Sequence, residues 1–104
     1  MKEDGVVRTE HIYSKMIEAY REHPERATYY FNLMKEEGVV RTALIYINMM
    51  EVYKKFPEKA TYYFNLMKEE GVVRTALAYT RMIEMYKYDS AKVRYYSKLM
   101  REGI

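Results

Sequence analysis

The side chains that could do chemistry are few in this sequence of 104 residues, and most of them recur at a fixed spacing. There is no cysteine, and the two histidines are His11 and His23, so thiol chemistry is excluded and little remains that could ligate a metal. Glu18, Glu51 and Glu84 recur every 33 residues. An active site is not expected three times in one small chain, so we expect these carboxylates to pair with neighbouring bases. The sequence therefore predicts no catalytic site, no metal and no cofactor.

Three arginines are the basic feature that recurs along the whole chain. Arg8, Arg41 and Arg74 would line up along one edge of stacked copies, where they could contact phosphates. Alternatively, each arginine follows a helix end, where a cation suits the helix dipole and the solvent. The net charge of +3 comes mainly from residues 71–104, whereas a nucleic-acid-binding stripe would run through every copy. The charge distribution therefore favours the structural interpretation.

The organising feature of the sequence is an internal repeat. The phrase GVVRT begins at Gly5, Gly38 and Gly71, which gives a period of 33 residues. The three copies are residues 5–37, 38–70 and 71–104 of a single domain, 1–104. Copies one and two agree at 23 of 33 positions, including charged positions that tolerate substitution easily. Such agreement indicates either a very recent duplication or a designed sequence.

Each copy predicts two helices joined by a short turn. Apolar residues recur at helical spacing on both sides of Pro57, which suits the first turn of a second helix. Thr42 is predicted to cap the first helix through its hydroxyl. Gly71 suits the left-handed position after a helix that ends at Glu70. In copy three, Asp89 is predicted to cap the second helix by a different route.

The composition is that of a folded chain. Hydrophobic residues make up 49% and charged residues 32% of the sequence, which is too apolar for a disordered chain. No apolar run approaches 18 residues and no leader pattern precedes the repeats, so the sequence predicts neither membrane insertion nor secretion. Its composition is typical of cytosolic proteins.

The terminal copies carry polar residues where copy two is apolar. One hairpin cannot bury both of its faces, so the copies must stack and leave an open face at each end. Glu10, His11 and Ser14 replace apolar residues at the beginning, and Ser97 replaces the equivalent of Phe64 at the end. We expect these residues to face water. The tyrosines and methionines that recur in every copy are expected to fill the core instead.

The pattern of the repeat resembles a known family. The first helix of copy two carries Tyr46, Met49, Met50 and Tyr53, and the second carries Ala60, Phe64, Met67 and Gly71. This pattern resembles the pentatricopeptide repeat and, less closely, the tetratricopeptide repeat, although the pentatricopeptide unit is usually 35 residues long. The resemblance implies an all-α protein, a right-handed α-solenoid of three helix-turn-helix repeats and six helices, with the first helices on the inner surface.

The resemblance also implies positions that would read RNA. Pentatricopeptide proteins bind single-stranded RNA, one base per repeat, with a polar residue after the first tyrosine and Asp or Asn at the end of the repeat. These positions correspond to Ser14, Ile47 and Thr80, and to Thr42 and Thr75. The Ile47 side chain cannot hydrogen-bond a base, and threonine is not the usual terminal residue. The resemblance therefore extends to the scaffold rather than to base recognition.

Three functions fit the sequence, and a non-enzymatic repeat scaffold of designed or recently duplicated origin fits best. The first alternative is a single-stranded RNA-binding module, which Arg8, Arg41 and Arg74 favour. The second is a peptide- or protein-binding groove, favoured by Ile47 on the expected inner face, which could also support self-association. No membrane partner is expected.

Overall fold

The fold is known from a computed structural model that describes residues 9–103, and the regular structure within that range is helical. The six helices are α1 (Glu10–Ala19), α2 (Pro24–Glu36), α3 (Ala43–Val52), α4 (Pro57–Glu69), α5 (Ala76–Met85) and α6 (Ser90–Glu102). Each boundary shifts by 33 residues from one hairpin to the next. The prediction of an all-α chain with six helices is confirmed over the described range.

Helices that are close in sequence pack against each other. Within the hairpins, α1 packs on α2, α3 on α4 and α5 on α6. Between hairpins, α3 packs against both α1 and α5, while α2 contacts α3 and α4 contacts α5. The molecule measures 49 × 26 × 17 Å along its principal axes, so it is elongated. This arrangement is consistent with a helical-repeat solenoid.

The helix beginnings follow the predicted residues but not always the predicted bonds. Pro57 begins α4, and the Asp89 side chain caps α6 by accepting a hydrogen bond from the backbone N–H of Lys92 (3.2 Å). Thr42 occupies the N-cap position of α3, but its side chain accepts no capping bond. Its hydroxyl donates to the Glu10 carboxylate instead (2.8 Å). The prediction of a Thr42 cap is therefore right in position and wrong in mechanism.

The turns between hairpins depend on glycine. Gly38 and Gly71 have φ values of +74° and +76°, where residues with a Cβ are strained. A Cβ placed on either residue would meet no atom within 4 Å, so backbone conformation, rather than space, requires glycine here. The second helix of copy two ends at Glu69, one residue before the predicted Glu70, which forms the C-cap. The left-handed position after the helix is as predicted.

The core consists largely of the recurring tyrosines and methionines, as predicted. Tyr13, Tyr46 and Tyr79 are at most 3% exposed, and Met49 and Met82 are fully buried. Met16, which corresponds to Met49 in the first hairpin, is half-buried, and Met100, which corresponds to Met67 in the last hairpin, is exposed. Seven of the ten residues of α3 are buried, whereas α1 and α5 each bury three and α6 buries one.

Candidate functional site

Arg41 lies between helices rather than in solvent. Its guanidinium donates to the backbone carbonyl of Phe31 (3.2 Å) and lies 4.1 Å from the centre of the Phe31 ring. It also makes two bonds to the Glu70 carboxylate, at 2.9 and 3.1 Å. The side chain is only 9% exposed, so the expectation that Arg41 lies in solvent is wrong. A phosphate that contacts this guanidinium would compete with Glu70 for it.

Arg74 repeats this arrangement one copy later. Its Nε donates to the backbone carbonyl of Phe64 (3.0 Å), and its guanidinium lies 3.9 Å from the Phe64 ring centre. Arg8 lies outside the described residues. A cation over an aromatic face is stabilised by the ring quadrupole. The two described arginines therefore join consecutive hairpins by contacting the preceding second helix.

The Glu70 carboxylate also accepts a hydrogen bond from the Tyr46 hydroxyl, and Glu37 accepts one from Tyr13 in the first hairpin. Burial and the bond to Glu70 raise the pKa of Tyr46 to about 12, although the nearby Arg41 acts in the opposite direction. Such a phenol stays protonated at neutral pH. The cluster of Arg41, Tyr46 and Glu70 is thus suited to holding α3 against the end of α4.

The positions predicted to read a base are mostly used inside the protein. Ser14 is 4% exposed, and its hydroxyl accepts a hydrogen bond from the Asn48 amide (2.9 Å). The expectation that Ser14 faces water at an open end is therefore wrong, because Ser14 lies against α3. Ile47 is also 4% exposed. Leu44, which corresponds to His11 in copy one, is itself 47% exposed. A polar residue at position 11 therefore does not by itself mark an end of the stack.

The three threonines of the predicted site do not converge on one point. Thr80 is half-buried, and its hydroxyl bonds back to the Ala76 carbonyl one turn earlier (2.9 Å). Thr75 is the exposed N-cap of α5 and makes no side-chain capping bond. Thr42 is bonded to Glu10, as described above. The structure thus gives these threonines separate local environments.

A groove lined by both aliphatic and charged side chains runs along the first helices. It has a volume of about 460 Å³. It is lined by Glu18, Arg21, Leu44, Ile47, Asn48, Glu51, Val52, Leu77 and Arg81. Leu44 and Leu77 are 47% and 41% exposed, and Arg81 of α5 pairs with Glu51 of α3 and with Glu84 on its own helix. The expectation that the recurring glutamates pair with neighbouring bases is confirmed, because Arg81 pairs with Glu51 and Glu84, and Lys15 pairs with Glu18 (3.7 Å).

The groups that could perform acid–base or metal chemistry are dispersed. His11 and His23 are both exposed, as expected. Within residues 9–103, no three His, Cys, Asp or Glu side chains are grouped so that they could hold a metal ion. Burial raises the pKa of Tyr63 and of Tyr96. These phenols are therefore weaker acids than usual and pack as structural side chains.

One recurring surface feature was missed in the sequence. Tyr29, Tyr62 and Tyr95 are 57%, 56% and 56% exposed, and each directly precedes a more buried tyrosine on a second helix. Adjacent helical residues point about 100° apart, so only one member of each pair can face the core. The recurring Tyr-Tyr dipeptide, combined with helical periodicity, could have revealed this exposed row.

Comparison with known proteins assigns no family. No protein-family model matches the chain, and no curated protein matches it in sequence. No helix in the described part of the chain is both long and apolar enough to cross a bilayer.

Proposed function

We propose that this chain is a non-enzymatic helical-repeat scaffold, a right-handed α-solenoid of pentatricopeptide-like build whose sequence is designed or recently duplicated. The contacts that join consecutive hairpins carry the proposal, because they recur at the repeat spacing. The Thr28 and Tyr53 hydroxyls are hydrogen-bonded to each other at 2.8 Å, and the Thr61 and Tyr86 hydroxyls are hydrogen-bonded at 3.1 Å. The bonds of Arg41 and Arg74 to the preceding second helix recur likewise.

Aromatic packing across the hairpins supports the same proposal. The Phe31 ring lies edge-on to Tyr46 and Tyr63, with ring centres 5.4 and 5.1 Å apart. Phe64 repeats this geometry with the corresponding tyrosines of the third hairpin, at 5.5 and 5.4 Å. An interface that is built twice from the same residues can be extended by adding copies, which is the defining property of a repeat scaffold.

The proposal is tested by lengthening the chain. We would insert a second copy of residues 38–70 after Glu70 and measure helical circular dichroism and urea unfolding. The expected result is eight helices with unchanged ellipticity per residue and a higher unfolding midpoint, because each added copy brings one more interface. A control insertion, in which Phe31, Phe64 and the inserted phenylalanine are replaced by alanine, should lose that gain. An inserted copy that unfolds separately would contradict the proposal.

A peptide-binding role is the second candidate, and the groove along the first helices favours it. Leu44 and Leu77 expose aliphatic surface beside the charged pairs of Arg81, which is the composition of a groove that takes an amphipathic segment. A displayed library of short peptides should yield a common motif that binds the protein. The same peptides should fail to bind a variant with Leu44→Lys and Leu77→Lys. Equal binding to both proteins would exclude the groove.

Single-stranded RNA binding stays a prediction, and the positions of the arginines lend it less support than the sequence did. Glu70 would compete with a phosphate for Arg41. Anisotropy of a labelled mixed-sequence RNA at low and physiological salt is the direct test. Binding that weakens steeply with salt would support an RNA module, and an absence of binding at low salt would eliminate it.

A further inference from the structure

Every hairpin carries a stacked pair of tyrosines between its two helices. Each pair joins the last tyrosine of the first helix region to a tyrosine on the second helix, with near-parallel rings. The pairs are Tyr20 with Tyr30 (5.6 Å, 12°), Tyr53 with Tyr63 (5.8 Å, 15°) and Tyr86 with Tyr96 (6.0 Å, 11°). The same ring geometry is thus built three times on one side of the molecule.

A cation from the chain itself lies near the first ring of every pair. The Arg26 guanidinium is 5.6 Å from the Tyr20 ring centre, which is within the range of a cation–π contact. The ammonium groups of Lys59 and Lys92 take the equivalent positions, 5.9 Å from Tyr53 and 5.3 Å from Tyr86. Guanidinium and ammonium groups are both accommodated, so the ring environment accepts a positive charge irrespective of its hydrogen-bonding shape.

In the middle hairpin a third ring and an acid border this arrangement, and Tyr29 and Glu25 take the equivalent positions in the first hairpin. A groove of about 400 Å³ is lined by Thr28, Tyr53, Glu58, Lys59, Tyr62 and Tyr63. Tyr62 stands edge-on to Tyr63 at 5.0 Å and is 56% exposed, so a third ring borders the groove. The Tyr53 hydroxyl is bonded to Thr28, which ties the groove to α2. In copy three, Ala91 replaces the acid.

We propose that this groove binds a quaternary alkylammonium cation, in particular a trimethylated lysine side chain, with the Tyr53 and Tyr62 rings beside the methyl groups, Tyr63 supporting Tyr53 from the core, and Glu58 supplying negative charge. A methylated ammonium has no N–H to satisfy and is weakly hydrated, so it gains more from aromatic faces than a primary ammonium does. The π-faces and Glu58 both disfavour an anion. Lys59 is the intramolecular competitor that an incoming cation displaces from Tyr53.

The test uses a short peptide that contains trimethyllysine, titrated into the full chain and followed by the ring signals of the tyrosines in NMR spectra. The matched probe is the same peptide with the quaternary nitrogen replaced by carbon, which keeps the shape and removes the charge. We expect saturable binding of the charged peptide with a dissociation constant of about 1 mM, at least fivefold tighter than the neutral peptide.

Variants assign the binding to the middle hairpin. Tyr62→Ala should weaken binding about fivefold, and Glu58→Ala should weaken it to a similar extent. Lys59→Gln should strengthen it by removing the competitor. Tyr95→Ala, the equivalent change in copy three, should alter affinity less than twofold. Tyr62 and Tyr95 are equally exposed, so both variants should keep the wild-type circular dichroism spectrum.

Three results would overturn the proposal. Equal binding of the charged and neutral peptides would make the groove an ordinary apolar surface. Equal loss of affinity in Tyr62→Ala and Tyr95→Ala would place the binding outside the groove that Glu58 borders. Absence of saturable binding to Lys59→Gln, in which the competitor is gone, would also refute it.

Discussion

Tyr46 shows how a single side chain couples stability to pH. Its hydroxyl donates to Glu70, and burial disfavours the phenolate, so the folded protein holds the proton more tightly than the unfolded chain does. The pKa is about 12 in the folded state against an ordinary value of 10.0. A raised pKa contributes stability that is fully present below pH 10 and is lost as the pH rises through the folded value.

We therefore expect the free energy of unfolding to fall between about pH 10 and pH 12, by up to roughly 2 kcal/mol from Tyr46 alone. Tyr63 and Tyr96 act in the same direction, since burial raises the pKa of each. Urea unfolding of the wild type and of Tyr46→Phe at several pH values separates the contributions. The variant should lose less stability over this range, and an identical pH dependence would contradict the role assigned to Tyr46.

Residue environments were the hardest feature to predict from sequence. Arg41 meets Glu70, 29 residues away, and Ser14 meets Asn48, 34 residues away. These partners become neighbours only when α3 packs against the end of α4 and against α1. Helical periodicity says which side of a helix a residue occupies, but not which charged or polar group a neighbouring helix brings there. Two residues assigned to solvent or a ligand are therefore bonded inside the protein.

Among the helices, the caps differ between copies although the helix lengths do not. The second helices all have 13 residues and the first helices all have 10. Asp89 caps α6 through its side chain, whereas His23 and Phe56 at the equivalent positions make no side-chain capping bond. Proline at the next position serves α2 and α4 instead, since its fixed φ is already helical.

Removing the Asp89 side chain should therefore lower the free energy of unfolding more than removing an N-cap side chain that makes no capping bond. We expect Asp89→Ala to lower the free energy of unfolding by about 1 kcal/mol. Thr75→Ala removes an N-cap residue that makes no capping bond, so it should change stability by less than about 0.5 kcal/mol. Urea unfolding of the two variants provides the comparison. Equal losses would mean that the Asp89 bond contributes nothing.

Helix positions, in contrast, followed closely from the sequence. Pro57, Asp89 and Gly71 mark helix boundaries by local backbone chemistry, which needs no knowledge of packing. The Thr42 hydroxyl was the exception, because Glu10 of the preceding copy competes for it. Helical periodicity alone is enough to predict the exposed row of Tyr29, Tyr62 and Tyr95. Each of these tyrosines directly precedes a more buried tyrosine, and the two were not distinguished in the sequence.

For the whole molecule, the last hairpin differs from the others because, within residues 9–103, no later helix packs against α6. Phe31 and Phe64 fill the space between consecutive hairpins, whereas Ser97 occupies the equivalent position at the end and is half-buried. Met100 beside it is 37% exposed. A polar residue at position 97 thus keeps the apolar area of the open face small.

A phenylalanine at position 97, as at the equivalent positions 31 and 64, should enlarge the apolar area of that face and promote association. We expect Ser97→Phe to form end-to-end oligomers at high concentration, which sedimentation equilibrium would detect. Asn32→Phe adds the same ring to an exposed position on α2 and should leave the molecular mass unchanged. If Ser97→Phe sediments as the wild type does, position 97 does not limit association.

The uneven burial of the helices has a consequence for amide hydrogen exchange. The free energy needed to open a segment follows the contacts that it must break, and terminal units of a repeat array have one neighbour instead of two. Because α3 buries seven residues and α6 buries one, the slowest amides should belong to α3 and the fastest helical amides to α6. Equivalent helices of the three hairpins would then exchange at different rates, because the middle hairpin has a neighbour on each side and each terminal hairpin has one.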